Sequence, residues 1–85
     1  IIMNQLHPVF CDINLDNYNI DLDKLETQLK KDKSIKALII VDYAGQPSDW
    51  KALNFIKKKY HLKIINDNCH AIGANFKNDI SYASK

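Results

Sequence analysis

Two kinds of apolar pattern alternate along the chain. Short apolar-rich runs occur at Pro8 to Ile13 (PVFCDI), Lys36 to Tyr43 (KALIIVDY) and Leu62 to Asp67 (LKIIND), and each reads as a strand. Between them the apolar residues fall at helical spacing: Leu22, Leu25 and Leu29 after the first run, and Ala52, Phe55 and Ile56 after the second. Asp21 is placed to cap the first helix, with Ile20 before it able to staple onto Leu25. Lys30, Lys31 and Lys33 suit the negative pole at its other end. Ser48 is placed to cap the second helix with Asp49 in its first turn, and Lys57, Lys58 and Lys59 read as a solvated, dipole-compatible face. The turn formers Asn14 to Asn17 and Gly45-Gln46-Pro47 punctuate the elements, and Asn68 to Asn75 reads as a loop or a short helical turn.

The order is therefore β-α-β-α-β, an α/β arrangement predicting three neighbouring parallel strands. Ala37 to Val41 are all apolar, as a parallel strand covered on both faces requires. In such sheets ligands sit beyond the carboxyl ends of the strands. That singles out Asp12 to Asn14, Asp42 to Gln46 and Asp67 to His70.

Composition narrows the function classes. The 85 residues are 46% apolar and 26% charged with a net charge of +2, and every basic residue is Lys. Without Arg for bidentate phosphate or base contacts, the small positive charge does not point to nucleic acid. No apolar run approaches the roughly 20 residues of a bilayer span. The N-terminus lacks the basic start and small-residue cleavage pattern of a secretory signal, so a cytoplasmic protein is expected. Cys11 and Cys69 stand far apart without metal-ligand spacing, which predicts free, buried thiols in a reducing compartment and no zinc site. A chain this size buries only about 60 to 65% of its unfolded surface. It begins Ile1-Ile2 and stops at Lys85 in a polar stretch, so a piece of a longer chain is expected, its independent stability doubtful.

Common site chemistries find little to build on. Neither GxGxxG nor GxxxxGK[ST] is present, so the backbone cradles of dinucleotide and triphosphate sites are missing. Adjacency of Cys69 and His70 in sequence does not establish a nucleophile and base, and nothing fixes the separation of Asp42 and Asp67 that glycosidase chemistry needs. More distinctive is Asp67-Asn68-Cys69-His70 followed by Ala71-Ile72-Gly73-Ala74. A carboxylate at a strand end with a hydrogen-bonding ring three residues later can flank a planar ligand, and a pyridinium nitrogen is a natural partner for that carboxylate. On pattern alone, an Asp at a strand end is more often structural, and a lone His more often belongs to a core or loop.

Three stretches in register, PVFCDINLDNYNID, KALIIVDYAGQPSDWKAL and HLKIINDNCHAIGA, closely resemble the DegT/DnrJ/EryC1/StrS family of pyridoxal phosphate (PLP)-dependent nucleotide-sugar aminotransferases. The likeness spans about residues 8 to 76. It implies that residues 1–85 are an internal part of the PLP-binding large domain of a fold-type I enzyme, incomplete at both ends, with a mostly parallel sheet. By the same resemblance, Asp67 pairs with the pyridine nitrogen of PLP, and His70 lies against the cofactor on its phenolic-oxygen side. Tyr43 is a possible pocket-lining residue, Gly45 and Pro47 form the turn, and Asp12 is structural or supports the site from behind.

The family's Schiff-base lysine lies in an SFxxxK-type motif beyond Lys85, and Tyr82-Ala83-Ser84-Lys85 does not match it. The family's phosphate-binding loop and ring-stacking aromatic precede Ile1. The segment alone is thus expected to be inactive, with no catalytic lysine and no metal. The parent activity implied is transfer of an amino group from an amino acid, with glutamate as donor, to a keto sugar nucleotide in surface-glycan or nonulosonic-acid biosynthesis, by a homodimer. VDYAG and His70 are most similar to the branch that aminates UDP-4-keto-6-deoxy-N-acetylhexosamines at C4. A PLP-dependent sugar dehydratase of the same family and a non-catalytic α/β binding module remain as alternatives.

Overall fold

The computed structural model describes residues 1–75. After a single 3-10 turn, Ile2–Asn4, the chain runs through helix α1 (Leu22–Lys31), strand β1 (Ala37–Val41), a 3-10 turn (Tyr43–Gly45), helix α2 (Trp50–Tyr60) and strand β2 (Lys63–Asp67). β1 and β2 pair in parallel, with Ile39 opposite Ile65 and Val41 opposite Asp67. The α/β class is as expected, with two described strands in place of three.

The expected first strand is absent. Residues 8 to 13 contribute only an isolated antiparallel bridge from Ile13 to Ile20. Pro8 offers no N–H to a ladder, and Val9 and Phe10 stay exposed instead of packing. The segment is tied down by side chains instead: Gln28 Nε2 donates to the Phe10 carbonyl at 2.7 Å.

The first helix forms as its pattern predicts. The Asp21 carboxylate accepts from the N–H groups of Asp23 and Lys24, satisfying two of the donors that a helix start leaves open. Leu25 and Leu29 are buried, Lys30 and Lys31 occupy the last turn, and Ile20 packs against the core. The second helix differs in cap and in phase. Its cap is Asp49, whose carboxylate accepts from Ala52 N at 3.1 Å, while Ser48 is buried just outside. The buried stripe is Trp50, Leu53 and Ile56, and Phe55 is exposed. Trp50 has more apolar area to hide than Ala52, so its burial sets the rotation of the helix. Lys59 is more than a solvated charge: it pairs with Glu26 on α1, tying the two helices together, and stands over the rings of Phe55 and Tyr60.

One continuous core joins Leu25 and Leu29, Leu38 and Ile40 of β1, Trp50, Leu53 and Ile56, and Leu62. Successive strand residues point to opposite faces, and β1 is accordingly buried at alternate positions. Leu38 and Ile40 face the helices. Ile39, Val41 and Ile65 form an outer apolar stripe between 44% and 59% exposed, so only one sheet face is covered within the described residues.

Candidate functional site

The carboxyl ends of the two strands meet through a hydrogen bond from Asp42 N to Asp67 O of 3.1 Å. Beyond that link their side chains part company. Asp42 continues the inner alternation of Leu38 and Ile40 and is 2% exposed. Its carboxylate accepts from Ser48 N at 2.9 Å and from Asn66 Nδ2 at 3.2 Å. Asp42 thereby closes the connection from β1 to α2 and holds it against β2. Asp67 follows Ile65 on the outer face and is exposed.

The turn after Asp42 is held from a distance. Asn19, 4% exposed, accepts from Tyr43 N and donates to the Gln46 carbonyl, both at 3.0 Å. Within the turn, Ala44 (φ 52°) and Gly45 (φ 83°) take left-handed conformations. At Gly45 a Cβ would stand 3.2 Å from the His70 carbonyl oxygen, so a side chain there would press on the next loop.

That loop carries the candidate pair. Cys69 N donates to Asp67 Oδ1 at 3.3 Å. The Cys69 thiol, its backbone N–H and the nearby His70 together hold the Asp67 carboxyl below the usual carboxylate range. The same contact pushes the Cys69 thiol up, away from thiolate character. Tyr43 meets His70 edge-on with ring centroids 6.3 Å apart, and the Tyr18 ring is tilted against Tyr43 at 5.8 Å. An ionised, accessible carboxylate thus ends β2 beside a row of three rings.

Of the three strand ends singled out by sequence, two are brought together and one is not. Tyr43, Asp67 and His70 gather at the carboxyl end of the sheet. Asp12 instead pairs with Lys24 at 2.9 Å on the surface of α1, beside a hollow of about 460 Å³ whose lining includes none of those three residues. Cys69 is exposed and Cys11 half-buried, both free, which corrects the expectation of two buried thiols. Lys85 lies outside the described residues. Asn19 and Tyr18 escaped the sequence reading, since a lone Asn and Tyr after a run of turn formers look like more loop.

The sequence model of the DegT/DnrJ/EryC1/StrS aminotransferase family matches residues 1–82, nearly the whole chain. The chain belongs to this family. It is 40% identical over 77 residues to the dTDP-4-amino-4,6-dideoxy-D-glucose transaminase of Escherichia coli, covering 91% of this chain and 20% of that one. To the UDP-4-amino-4,6-dideoxy-N-acetyl-β-L-altrosamine transaminase of Campylobacter jejuni it is 39% identical over 71 residues, covering 82% and 19%. Among solved structures it superimposes on Helicobacter pylori PseC, an aminotransferase involved in the biosynthesis of pseudoaminic acid, with a TM-score of 0.82 and 31% identity, covering 91% of this chain and 20% of that chain. It also matches the Escherichia coli GDP-4-keto-6-deoxy-D-mannose-3-dehydratase with bound hydrated PLP, at a TM-score of 0.72 and 32% identity, covering 81% and 17%. This DegT/DnrJ/EryC1/StrS chain thus spans about a fifth of the length of the relatives it matches.

Proposed function

We propose that this chain is an internal part of the PLP-binding large domain of a sugar-nucleotide aminotransferase, with Asp67 and His70 on the cofactor. The observation that carries the reading is Asp67: an exposed carboxylate, held ionised by its neighbours, at the carboxyl end of β2 beside His70 and Tyr43. A single exposed carboxylate, held ionised, is the kind of acceptor that a protonated aromatic nitrogen takes.

PLP, when bound, supplies an electron sink that its protonated pyridine ring makes effective. Asp67 would keep the proton on that nitrogen, because a carboxylate held below its usual range favours the charged partner across the working pH range. His70 would orient and flank the ring, and Tyr43 would line the pocket and limit the tilt of the imidazole. The outer stripe of Ile39, Val41 and Ile65 leads up to Asp67 on the same face, and once covered it would exclude water and strengthen the charge pair.

The substrates in this reading are a keto sugar nucleotide and an amino-acid donor, with glutamate the expected one. The working form is a cytoplasmic homodimer. Among the described residues no helix is long and apolar enough to cross a membrane. A dehydratase would use Asp67 in the same way, so the product separates the two readings: an amino sugar nucleotide from a transaminase, a deoxy sugar nucleotide with no nitrogen gained from a dehydratase. The decisive experiment is the visible absorbance of PLP in the full-length protein and in Asp67→Ala. The wild type should bind PLP, and the variant should lose the absorbance or nearly all turnover. Wild-type values for both would remove Asp67 from the cofactor.

A further inference from the structure

We infer that Asn19 is a positioning residue for the Asp67–His70 site, acting through the Tyr43–Gln46 turn; this rests on the proposed reading of that site. Asn19 is nearly fully buried, and both ends of its carboxamide are used on one target. Its oxygen accepts from Tyr43 N, the first N–H of the turn, and its nitrogen donates to the carbonyl of Gln46, the last residue of the turn, each at 3.0 Å. The partners lie 24 and 27 residues away in sequence, so these contacts do not form the local loop around Asn19. That loop is fixed separately: Asn19 N donates to Asn17 Oδ1 at 3.0 Å, and Asn19 O accepts from Asn14 N at 2.8 Å. A braced side chain therefore reaches across to set the position of a turn on another element.

What the turn touches gives the contact its consequence. Gly45 sits directly against the His70 carbonyl, and the Tyr43 ring stands edge-on to the His70 ring. Ala44 and Gly45 are both left-handed, a pair of conformations that the turn's own Gln46 N to Tyr43 O bond of 2.9 Å spans only once. The Asn19 carboxamide adds a second and a third hydrogen bond across the same four residues. Without them the turn can relax, and with it the backbone and ring of His70 shift. Asp at position 19 would keep the acceptor for Tyr43 N but present an oxygen to the Gln46 carbonyl, where a donor is needed.

The test uses the full-length protein with Asn19→Ala and Asn19→Asp. Three quantities are measured: kcat and KM, the visible circular dichroism of bound PLP, and the ¹³Cε1 NMR signal of His70, assigned by its loss in His70→Gln. Asn19→Ala should lower kcat about 10- to 100-fold, the size expected for a site misplaced by about an ångström. KM should change little, the dichroic band should shrink, and the His70 signal should move. Asn19→Asp should fall between wild type and Asn19→Ala, and it carries the test if Asn19→Ala does not fold. A variant with a lower melting temperature but wild-type kcat, dichroism and His70 signal would make Asn19 a loop fastener and overturn the inference. If the wild-type protein binds no PLP, the proposed function fails on its own, and the His70 signal alone decides the role of Asn19: moved in the variants, it stands; unmoved, it falls.

Discussion

Asp42 and Asp67 end two neighbouring parallel strands and are joined by a backbone hydrogen bond, yet they live in opposite surroundings. Asp67 lies opposite Val41, while Asp42 lies one residue further along. Because side chains alternate along a strand, that single step sends Asp42 to the inner face and Asp67 to the outer one. On the inner face the carboxylate is buried and committed to Ser48 N and Asn66 Nδ2. On the outer face it keeps solvent access and meets Cys69 and the nearby His70. The same residue type is thus a structural fastener at one strand end and available for chemistry at the other, and strand phase decides which.

The largest expected effect tests the outer carboxylate. Asp67→Asn in the full-length protein keeps size and removes charge. It should reduce turnover by about 100- to 1,000-fold, the range for deleting one preorganised electrostatic group in a site, while the denaturation midpoint falls far less than in Asp42→Ala. Steady-state kinetics alongside urea unfolding read both. Retained turnover with lost stability would invert the comparison.

Asp42→Ala should do the reverse. It strands the buried Ser48 N–H and the part-buried Asn66 amide, and a buried unsatisfied group costs about 1–3 kcal/mol. Urea denaturation should show the loss directly, with PLP bound per folded molecule changing much less than in Asp67→Asn. A variant of undiminished stability would mean that water or another group replaces the carboxylate, and the contrast between the two strand ends would dissolve.

The next test extends the contrast along β1. Ile40 is 1% exposed and Ile39 47%. Ile40→Ala should destabilise by about 2–5 kcal/mol in any context, as buried truncations do. An uninterrupted apolar run such as Ala37 to Val41 is what a strand covered on both faces requires, so Ile39→Ala is expected to cost a similar amount in the full-length protein. A much smaller loss for Ile39→Ala would show the outer stripe to be open there too.

Much of this arrangement was legible in the residues, and the gaps have physical causes. Helix α1 could be read from cap to last turn because Asp21 and the Leu22, Leu25, Leu29 spacing agree with each other. The place of α2 can be read but not its rotation, because Ala52, Phe55, Ile56 and Trp50, Leu53, Ile56 both make helical stripes; the burial of Trp50 decides between them. Residues 8 to 13 failed as a strand because a strand needs a partner, which a local apolar pattern does not supply. Asp67, His70 and Tyr43 are singled out by the family resemblance of short local stretches, which can be read in place. Asn19 did not, because its partners lie across the fold.

The smallest effect concerns the Cys69 contacts with Asp67. Cys69→Ala removes the thiol and leaves the backbone N–H, so the Asp67 carboxyl should move part of the way back toward its ordinary value of 3.8. The sign follows from the depressed value in the folded protein: Asp67 contributes stability that is present above 3.8 and is lost as pH falls through its folded value. Cys69→Ala should shrink that contribution and flatten the acid limb of the stability profile, as followed by ¹³C NMR of the carboxylate and by urea unfolding at acid pH. At neutral pH Asp67 is ionised with or without the thiol, so turnover should match wild type. A loss of activity at pH 7 in Cys69→Ala would make the thiol part of the proposed site, beside Asp67 and His70, and not merely a neighbour of the outer carboxylate.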